Sequence, residues 1–483
     1  MRAISDIDIQ RRIERDNPWW VNSVWTIPEA TSPRRVYFEP FKQLALNFSV
    51  RRAAILLGPR RVGKTFMIKQ LLHEAMIAGI EPSNVLYASI DTPVYSGISL
   101  EKFLSLMPAK NGQKLVVFDE IQYLKDWEID LKDLVDSYKD VKFVATGSAA
   151  AALRLKSQES GAGRFSEFML PPLTFYEFLV FLGEDDALIE RRERSERLPG
   201  VALHYFAPVD IQKLNARFVD YLNFGGYPEA VINTAIRNNP EQFIRNDIID
   251  KVLLKDLPSL YGIEEIQELN KLFSFLAYNA GHEANLENIS QGSGLAKPTI
   301  KKYIEYLEKA FLIIKVSHVD ENCKSLQRER NFKIYLNNPS MRAALFGPVY
   351  EEDTDAICHL AESAIYSQWQ HAINFRQLRY ARWKNEGEVD IVMLSSHSQR
   401  PDWIGEVKWS DRYNSRPYDQ YKHLQFMLKK HKNVRSAFLT TKTISDEIVL
   451  EGVKLRIIPS SVYCYTVGRN ITDQLDSNTP GQT

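Results

Sequence analysis

The octapeptide Gly58-Pro59-Arg60-Arg61-Val62-Gly63-Lys64-Thr65 constrains this chain more than any other feature. An apolar run, Ala53–Leu57, precedes it, and a helical pattern over 66–78 follows. G-x-x-x-x-G-K-[ST] between a strand and a helix is a phosphate cradle. Its glycines let backbone N–H groups turn inward around phosphate oxygens, and the helix N-terminus adds partial positive charge. In that setting Lys64 reaches the β- and γ-phosphates, and the Thr65 hydroxyl ligates Mg2+. All eight residues are nucleotide-binding candidates, with ATP and Mg2+ as the expected cofactors.

Further apolar runs at 85–90, 115–118 and 141–145 alternate with helical segments such as 129–137. This alternation predicts an α/β architecture, a parallel sheet with helices on both faces. The run 115–118 ends in Asp119-Glu120. Asp119 is expected to bind Mg2+, often through water, and Glu120 to orient and activate the attacking water. Thr146 and Ser148 end the next strand. One of them senses the γ-phosphate or the water, or the segment is only a strand-ending turn. Arg164, in Gly163-Arg164-Phe165, is the arginine selected to meet transition-state charge.

The loop, Phe118-Asp119-Glu120-Ile121-Gln122, Thr146-Gly147-Ser148, and Gly163-Arg164-Phe165 followed by Leu170-Pro171-Pro172-Leu173-Thr174-Phe175 carry a resemblance, as does Gly225-Gly226-Tyr227-Pro228-Glu229. Together they resemble the prokaryotic AAA-type ATPases that carry a winged helix and a C-terminal nuclease-like domain. The resemblance runs over roughly 40–410 and implies ATP binding and hydrolysis. AAA-type modules often complete their site with a neighbour's arginine, so it also implies a homo-oligomer or a protein partner.

Lys+Arg and Asp+Glu are both 61, which excludes a wholesale basic coat but not a local basic groove. Cys323, Cys358 and Cys464 form no C-x-x-C pair, so neither a disulfide framework nor a zinc knuckle is expected. The N-terminus lacks an apolar leader, and no run approaches the ~20 apolar residues a spanning helix needs. The expectation is a cytoplasmic protein with no membrane partner. The chain divides into an adapter at 1–50, the ATPase domain at 51–205, a helical domain at 206–280, a winged helix at 281–345, a nuclease-like domain at 346–469 and a frayed tail at 470–483. In the adapter, Ile4, Ile7 and Ile13 make one apolar stripe, and Trp19 and Trp20 dock on the next domain. The charge-dense stretch 184–199 reads as a solvated helix or loop.

The stretch 285–308 reads as helix, Gly-containing turn, helix, with Ile300, Tyr303, Ile304 and Leu307 on the apolar face of the second helix. Lys297, Lys301 and Lys302 project elsewhere, and the basic stretch 324–333 forms the wing. Such a module reads DNA with its second helix in the major groove, or it packs against a partner; both readings stand.

Farther along, Glu388-Val389-Asp390 and Glu406-Val407-Lys408 alternate acid or ammonium with apolar residues. In strands, i and i+2 share a face, so Glu406 and Lys408 point the same way. Asp390 and Glu406 would share Mg2+ or Mn2+, Lys408 would polarise water, and Glu362, on a helix over 360–369, would add an acid. This arrangement is similar to PD-(D/E)XK nucleases, although no Pro-Asp dipeptide precedes the acid. Arg376, Arg379, Arg382 and Lys384, interleaved with Tyr380 and Trp383, suit phosphate contacts and base stacking, or a solvated edge. Two functions follow. One is an ATP-driven protein acting on DNA with a Mg2+-dependent nuclease-like domain, in DNA processing or defence. The other is an ATP-dependent switch or scaffold for a protein partner, with that domain silent.

Overall fold

The computed structural model describes residues 5–22, 25–148, 163–198, 201–323, 331–372, 375–383 and 387–477. The chain forms two compact units, Met1–Pro171 with Leu475–Thr483, and Pro172–Gln474.

The first unit is built on five strands, β1 (Ala53–Leu57), β2 (Val85–Ser89), β3 (Lys114–Asp119), β4 (Val141–Gly147) and β5 (Phe165–Met169). All neighbours are parallel, in the order β2-β3-β4-β1-β5. The first four are the predicted strands. β1 is wholly buried because helices cover both faces, which is why it reads as an unbroken apolar run. The predicted helices appear as Lys64–Ile77 and Trp127–Ser137.

The N-terminal adapter belongs to this unit. Its helix, Asp6–Asp16, is capped by the Ser5 hydroxyl. The buried stripe is Ile9 and Ile13, four residues apart on one face. Ile7 is 63% exposed, so the expected stripe is corrected; Ile4 lies outside the described residues. The tryptophans dock as anticipated, both indole N–H groups donating to Val85 O, at 2.9 and 2.8 Å.

The second unit centres on nine strands in the order β15-β16-β14-β13-β12-β11-β9-β10-β8. Their spans are β8 (Glu283–Ala284), β9 (Ile313–Val319), β10 (Phe332–Leu336), β11 (Leu378–Trp383), β12 (Gly387–Leu394), β13 (Pro401–Glu406), β14 (Ser436–Thr441), β15 (Asp446–Leu450) and β16 (Val453–Pro459). The regions 281–345 and 346–469 therefore share one sheet, joined where β9 pairs in parallel with β11. Backbone pairing between distant segments leaves no composition signal, so the sequence suggested a boundary there. The front unit also ends earlier than residue 205. From Leu173 the chain bonds within the second unit, Leu173 N donating to Gly226 O at 2.9 Å.

Two more expectations change. The stretch 184–199 contributes to an antiparallel hairpin, β6 (Ile189–Leu198) with β7 (Val201–Pro208). Residues 470–477 continue the helix Ser460–Ser477 rather than fraying, because Asn470 is buried and exchanges hydrogen bonds with the His204 backbone at 2.8 and 2.9 Å. Among the described residues no helix is long and apolar enough to cross a membrane.

Candidate functional site

The octapeptide links β1 to the helix Lys64–Ile77, with Gly63 at φ 96° as its left-handed N-terminal residue. Gly58 runs so close to β5 that a Cβ there would lie 2.2 Å from Leu170 O. The buried Arg35 guanidinium braces the loop, donating to Val62 O at 2.6 Å and Pro171 O at 2.9 Å. Lys64 Nζ is folded onto the loop, donating to Gly58 O at 2.9 Å and Pro59 O at 2.7 Å. Arg60 reaches Tyr123 OH at 3.3 Å, and Arg61 is exposed with φ 62°.

Asp119 ends β3 opposite this loop and gathers three hydroxyls. Thr65 Oγ1 and Tyr87 OH both donate to its Oδ2 at 2.9 Å, and Thr146 Oγ1 donates to Oδ1. Parallel pairing of β3 with β2 and β4 brings these groups to one end of the sheet. Burial, then the Asp119 carboxylate, hold the Tyr87 phenol far above its ordinary value, so it stays a donor. Glu120 adopts φ 55°, uncommon for a residue with a side chain, and its N–H donates to Thr146 Oγ1 at 3.0 Å. Gln122 bridges onward, its amide N–H donating to Glu120 Oε2 and its carbonyl accepting from Ser148 N at 3.3 Å. Ser148 Oγ is buried with no hydrogen-bond partner among the described residues.

The site therefore brings together Lys64, Thr65, Asp119, Glu120, Thr146 and Ser148. It suits a magnesium–triphosphate on its own chemistry. A hydroxyl and a carboxylate already in contact form a hard-oxygen pair, a lysine and a helix N-terminus belong to the adjoining loop, and one hydroxyl stays unsatisfied among the described residues. Arg164 is a correction. Phe165 pairs with Ala53, at the start of β1, whereas the loop follows Leu57 at the other end. Five residues of strand separate them, about 15 Å, and Arg164 pairs instead with Asp136. Tyr87, Gln122 and Arg35 were missed. Tyr87 lies inside an apolar run and reads as core, and only tertiary placement turns its hydroxyl towards Asp119.

The second unit gathers the predicted acids. Asp390 sits on β12 and Glu406 at the end of β13, paired so that Ile391 opposes Gly405. Lys408 Nζ lies 2.7 Å from Glu406 Oε1 and 3.8 Å from Asp390 Oδ2. Glu362 joins them from the helix Thr354–Trp369, accepting from Tyr335 OH at 2.9 Å. Burial, then Asp390, pushes the Glu406 carboxyl up to about 8 despite Lys408. Burial likewise raises Glu362 to about 7, against the pull of Lys333. Among the described residues no three His, Cys, Asp or Glu side chains are grouped to hold a metal ion. Glu406 Oε2 is buried without a hydrogen-bond partner among the described residues.

The basic features are also redrawn. Residues 324–330 of the expected wing lie outside the described residues, and Lys333 is buried among the acids rather than on a basic surface. Tyr380 is fully buried and donates to Glu283 Oε2 at 2.9 Å, so it offers no stacking face. Arg382 pairs with Glu283 and Glu388, and Arg379 with backbone carbonyls of Arg376 and Leu378. Trp383 stacks on Phe426, and Lys384 is outside the described residues.

Residues 50–179 match the family described as AAA domain, and 215–350 match a domain of unknown function (DUF8612). The first match takes in the glycine loop, Asp119-Glu120 and Thr146. An uncharacterized protein of Methanocaldococcus jannaschii is 28% identical over 292 residues, 58% of this chain and 59% of its own length. An uncharacterized protein of Haemophilus influenzae is 26% identical over 304 residues, 61% of this chain and 69% of its own. The match thus spans less than two thirds of the archaeal relative. Among solved structures, the Aeropyrum pernix ORC1 protein in complex with DNA is 13% identical at a TM-score of 0.32, covering 68% of this chain and 95% of that one. A Thermotoga maritima RuvB mutant is 16% identical at 0.30, covering 58% and 87%. Likeness of this degree says nothing of what this chain binds.

Proposed function

We propose that this chain hydrolyses ATP and uses the nucleotide cycle to act on DNA through its second unit. The observation that carries the ATPase reading is the meeting of Lys64, Thr65, Asp119 and Glu120 at the mouth of β1 and β3. Loop N–H groups and Lys64 would hold the phosphates, with Thr65 and Asp119 holding Mg2+. Bound ATP supplies the phosphoanhydride, and the metal neutralises its charge. Glu120, fixed by its N–H bond to Thr146, orients a water and accepts its proton. Gln122 holds the Glu120 carboxylate and ties it to Ser148, at the end of β4. Lys64→Ala is expected to abolish ATP binding in calorimetry. Glu120→Gln should bind normally and turn over at least about a hundredfold more slowly. Ordinary turnover in both variants defeats the reading.

The DNA part rests on a winged-helix reading, which the order helix Ile266–Tyr278, β8, helix Leu286–Ser293, helix Lys297–Lys309, β9, β10 supports. Its second helix buries Ile300, Tyr303, Ile304 and Leu307 and leaves Lys301 and Lys302 exposed. Lys301→Glu/Lys302→Glu should weaken duplex binding by fluorescence anisotropy and flatten its salt dependence. Unchanged affinity and salt slope would favour a protein partner instead. The acids and Lys408 give the second unit the residue set of a PD-(D/E)XK site, but no cleavage step is part of this function. With Arg164 far from the loop, a second copy of this chain is the expected source of a further arginine, read as turnover that rises with protein concentration.

A further inference from the structure

Lys333, on β10, enters the acid cluster from a strand that no sequence pattern tied to it. Its Nζ lies 2.6 Å from Glu388 Oε1, 3.5 Å from Glu362 Oε2 and 3.8 Å from Asp390 Oδ1. The side chain is 4% exposed, whereas Lys408, on the other side of Asp390, is 35% exposed. Asp390 therefore stands between two ammonium groups, with Oδ1 towards Lys333 and Oδ2 towards Lys408 and the Val407 N–H at 2.8 Å. Tyr335, two residues along β10, shares Glu362 Oε2 with Lys333. The Tyr380 ring lies 5.4 Å from the Lys333 ammonium.

We propose that Lys333 is a built-in counter-cation that occupies the space among Glu362, Glu388 and Asp390 and excludes a divalent metal ion from it. Buried carboxylates need a cation or a proton nearby, since an uncompensated buried charge is strongly unfavourable. Here the chain provides the cation on a strand held on both sides, by β9 and by β8. An ammonium nitrogen 2.6 Å from one carboxylate oxygen fills the point where Mg2+ would need oxygens at about 2.1 Å. Two like-signed cations within a few ångströms also repel strongly in a poorly solvated site. Deep burial separates Lys333 from a substrate-facing lysine, whereas Lys408 is partly exposed. This inference goes beyond the ATPase reading and stands or falls separately from it.

The test is Mn2+ binding to the full chain without nucleotide, followed by electron paramagnetic resonance of free Mn2+. Wild type should show no site that Asp390→Asn removes, up to about 1 mM metal. Lys333→Met should gain one Mn2+ site, at least about tenfold tighter than anything in wild type, and Asp390→Asn in that background should remove it. Lys333→Arg, which keeps the charge, should behave as wild type. A lysine with a merely structural role would not create metal affinity when removed. An Asp390-dependent Mn2+ ion in wild type overturns the proposal whatever the variants do. A folded Lys333→Met that gains no site overturns it as well. If Lys333→Met does not fold, Lys333→Met/Glu388→Gln, which removes one compensating charge from each side, takes its place and is judged by the same two outcomes. Mn2+ retained through Asp119 in the front unit would survive Asp390→Asn, which keeps the two sites distinguishable.

Discussion

Removing one oxygen atom, in Tyr87→Phe, probes how the front unit holds Asp119. Tyr87 is buried, and its hydroxyl donates to Asp119 Oδ2 at 2.9 Å. Phenylalanine keeps the ring, so no cavity opens, and Lys69 Nζ, 3.4 Å from the ring centroid, keeps its cation–π contact. What is lost is one hydrogen bond to a charged group, worth about 1.5–3 kcal/mol. Asp119 retains Thr65 and Thr146 as donors, so the lower end applies, about 1.5 kcal/mol. That is roughly a tenfold change in the folding equilibrium. Urea unfolding of the single variants and of Tyr87→Phe with Asp119→Ala isolates the pair, because contacting residues show a coupling energy that independent ones do not. The expected coupling is about 1–2 kcal/mol. A Tyr87→Phe cost that is the same with and without the Asp119 carboxylate would refute the picture of Asp119 as a hydroxyl-held hub.

Three further outcomes follow from the geometry. Gly58→Ala drives a Cβ to 2.2 Å from Leu170 O, so the loop or β5 must move. A loss of about 1–3 kcal/mol in stability with weakened ATP binding is expected, and an unchanged melt and isotherm would count against that close approach. Burial holds the Glu406 and Glu362 carboxyls in the folded protein above the value of about 4.3 they have in an unfolded chain. Between the unfolded and folded values the folded state holds protons the unfolded state has released. Stability therefore falls as pH rises through that window, by up to about 1.4 kcal/mol per pH unit for each proton, and levels off above it. Glu406→Gln should flatten the profile of urea midpoints between pH 5 and 9; a wild-type stability that climbs with pH would contradict the sign. Arg164→Ala, at the far end of β1 from this chain's own loop, should leave ATP binding in calorimetry unchanged, and weakened binding would restore it to that loop.

The candidate phosphate site was legible because its parts are short and local. A glycine loop must sit between a strand and a helix, and Asp119-Glu120 must end a buried strand; spacing along the chain carries both facts. The same locality explains the failures. Arg164 looked suitable beside its motif, yet parallel pairing with Ala53 put it at the wrong end of the sheet. Tyr380 looked like a stacking platform, but its ring is buried and its hydroxyl is taken by Glu283.

By itself, the sequence determined a parallel α/β front unit and the residues of its candidate nucleotide cradle, since hydrophobic period and backbone turns are written in consecutive residues. Which hydroxyls grip Asp119, and that Lys333 lies among Glu362, Glu388 and Asp390, only the tertiary structure decided. Those contacts join residues far apart in the chain, and sheet pairing, not local propensity, brings them within reach of one another.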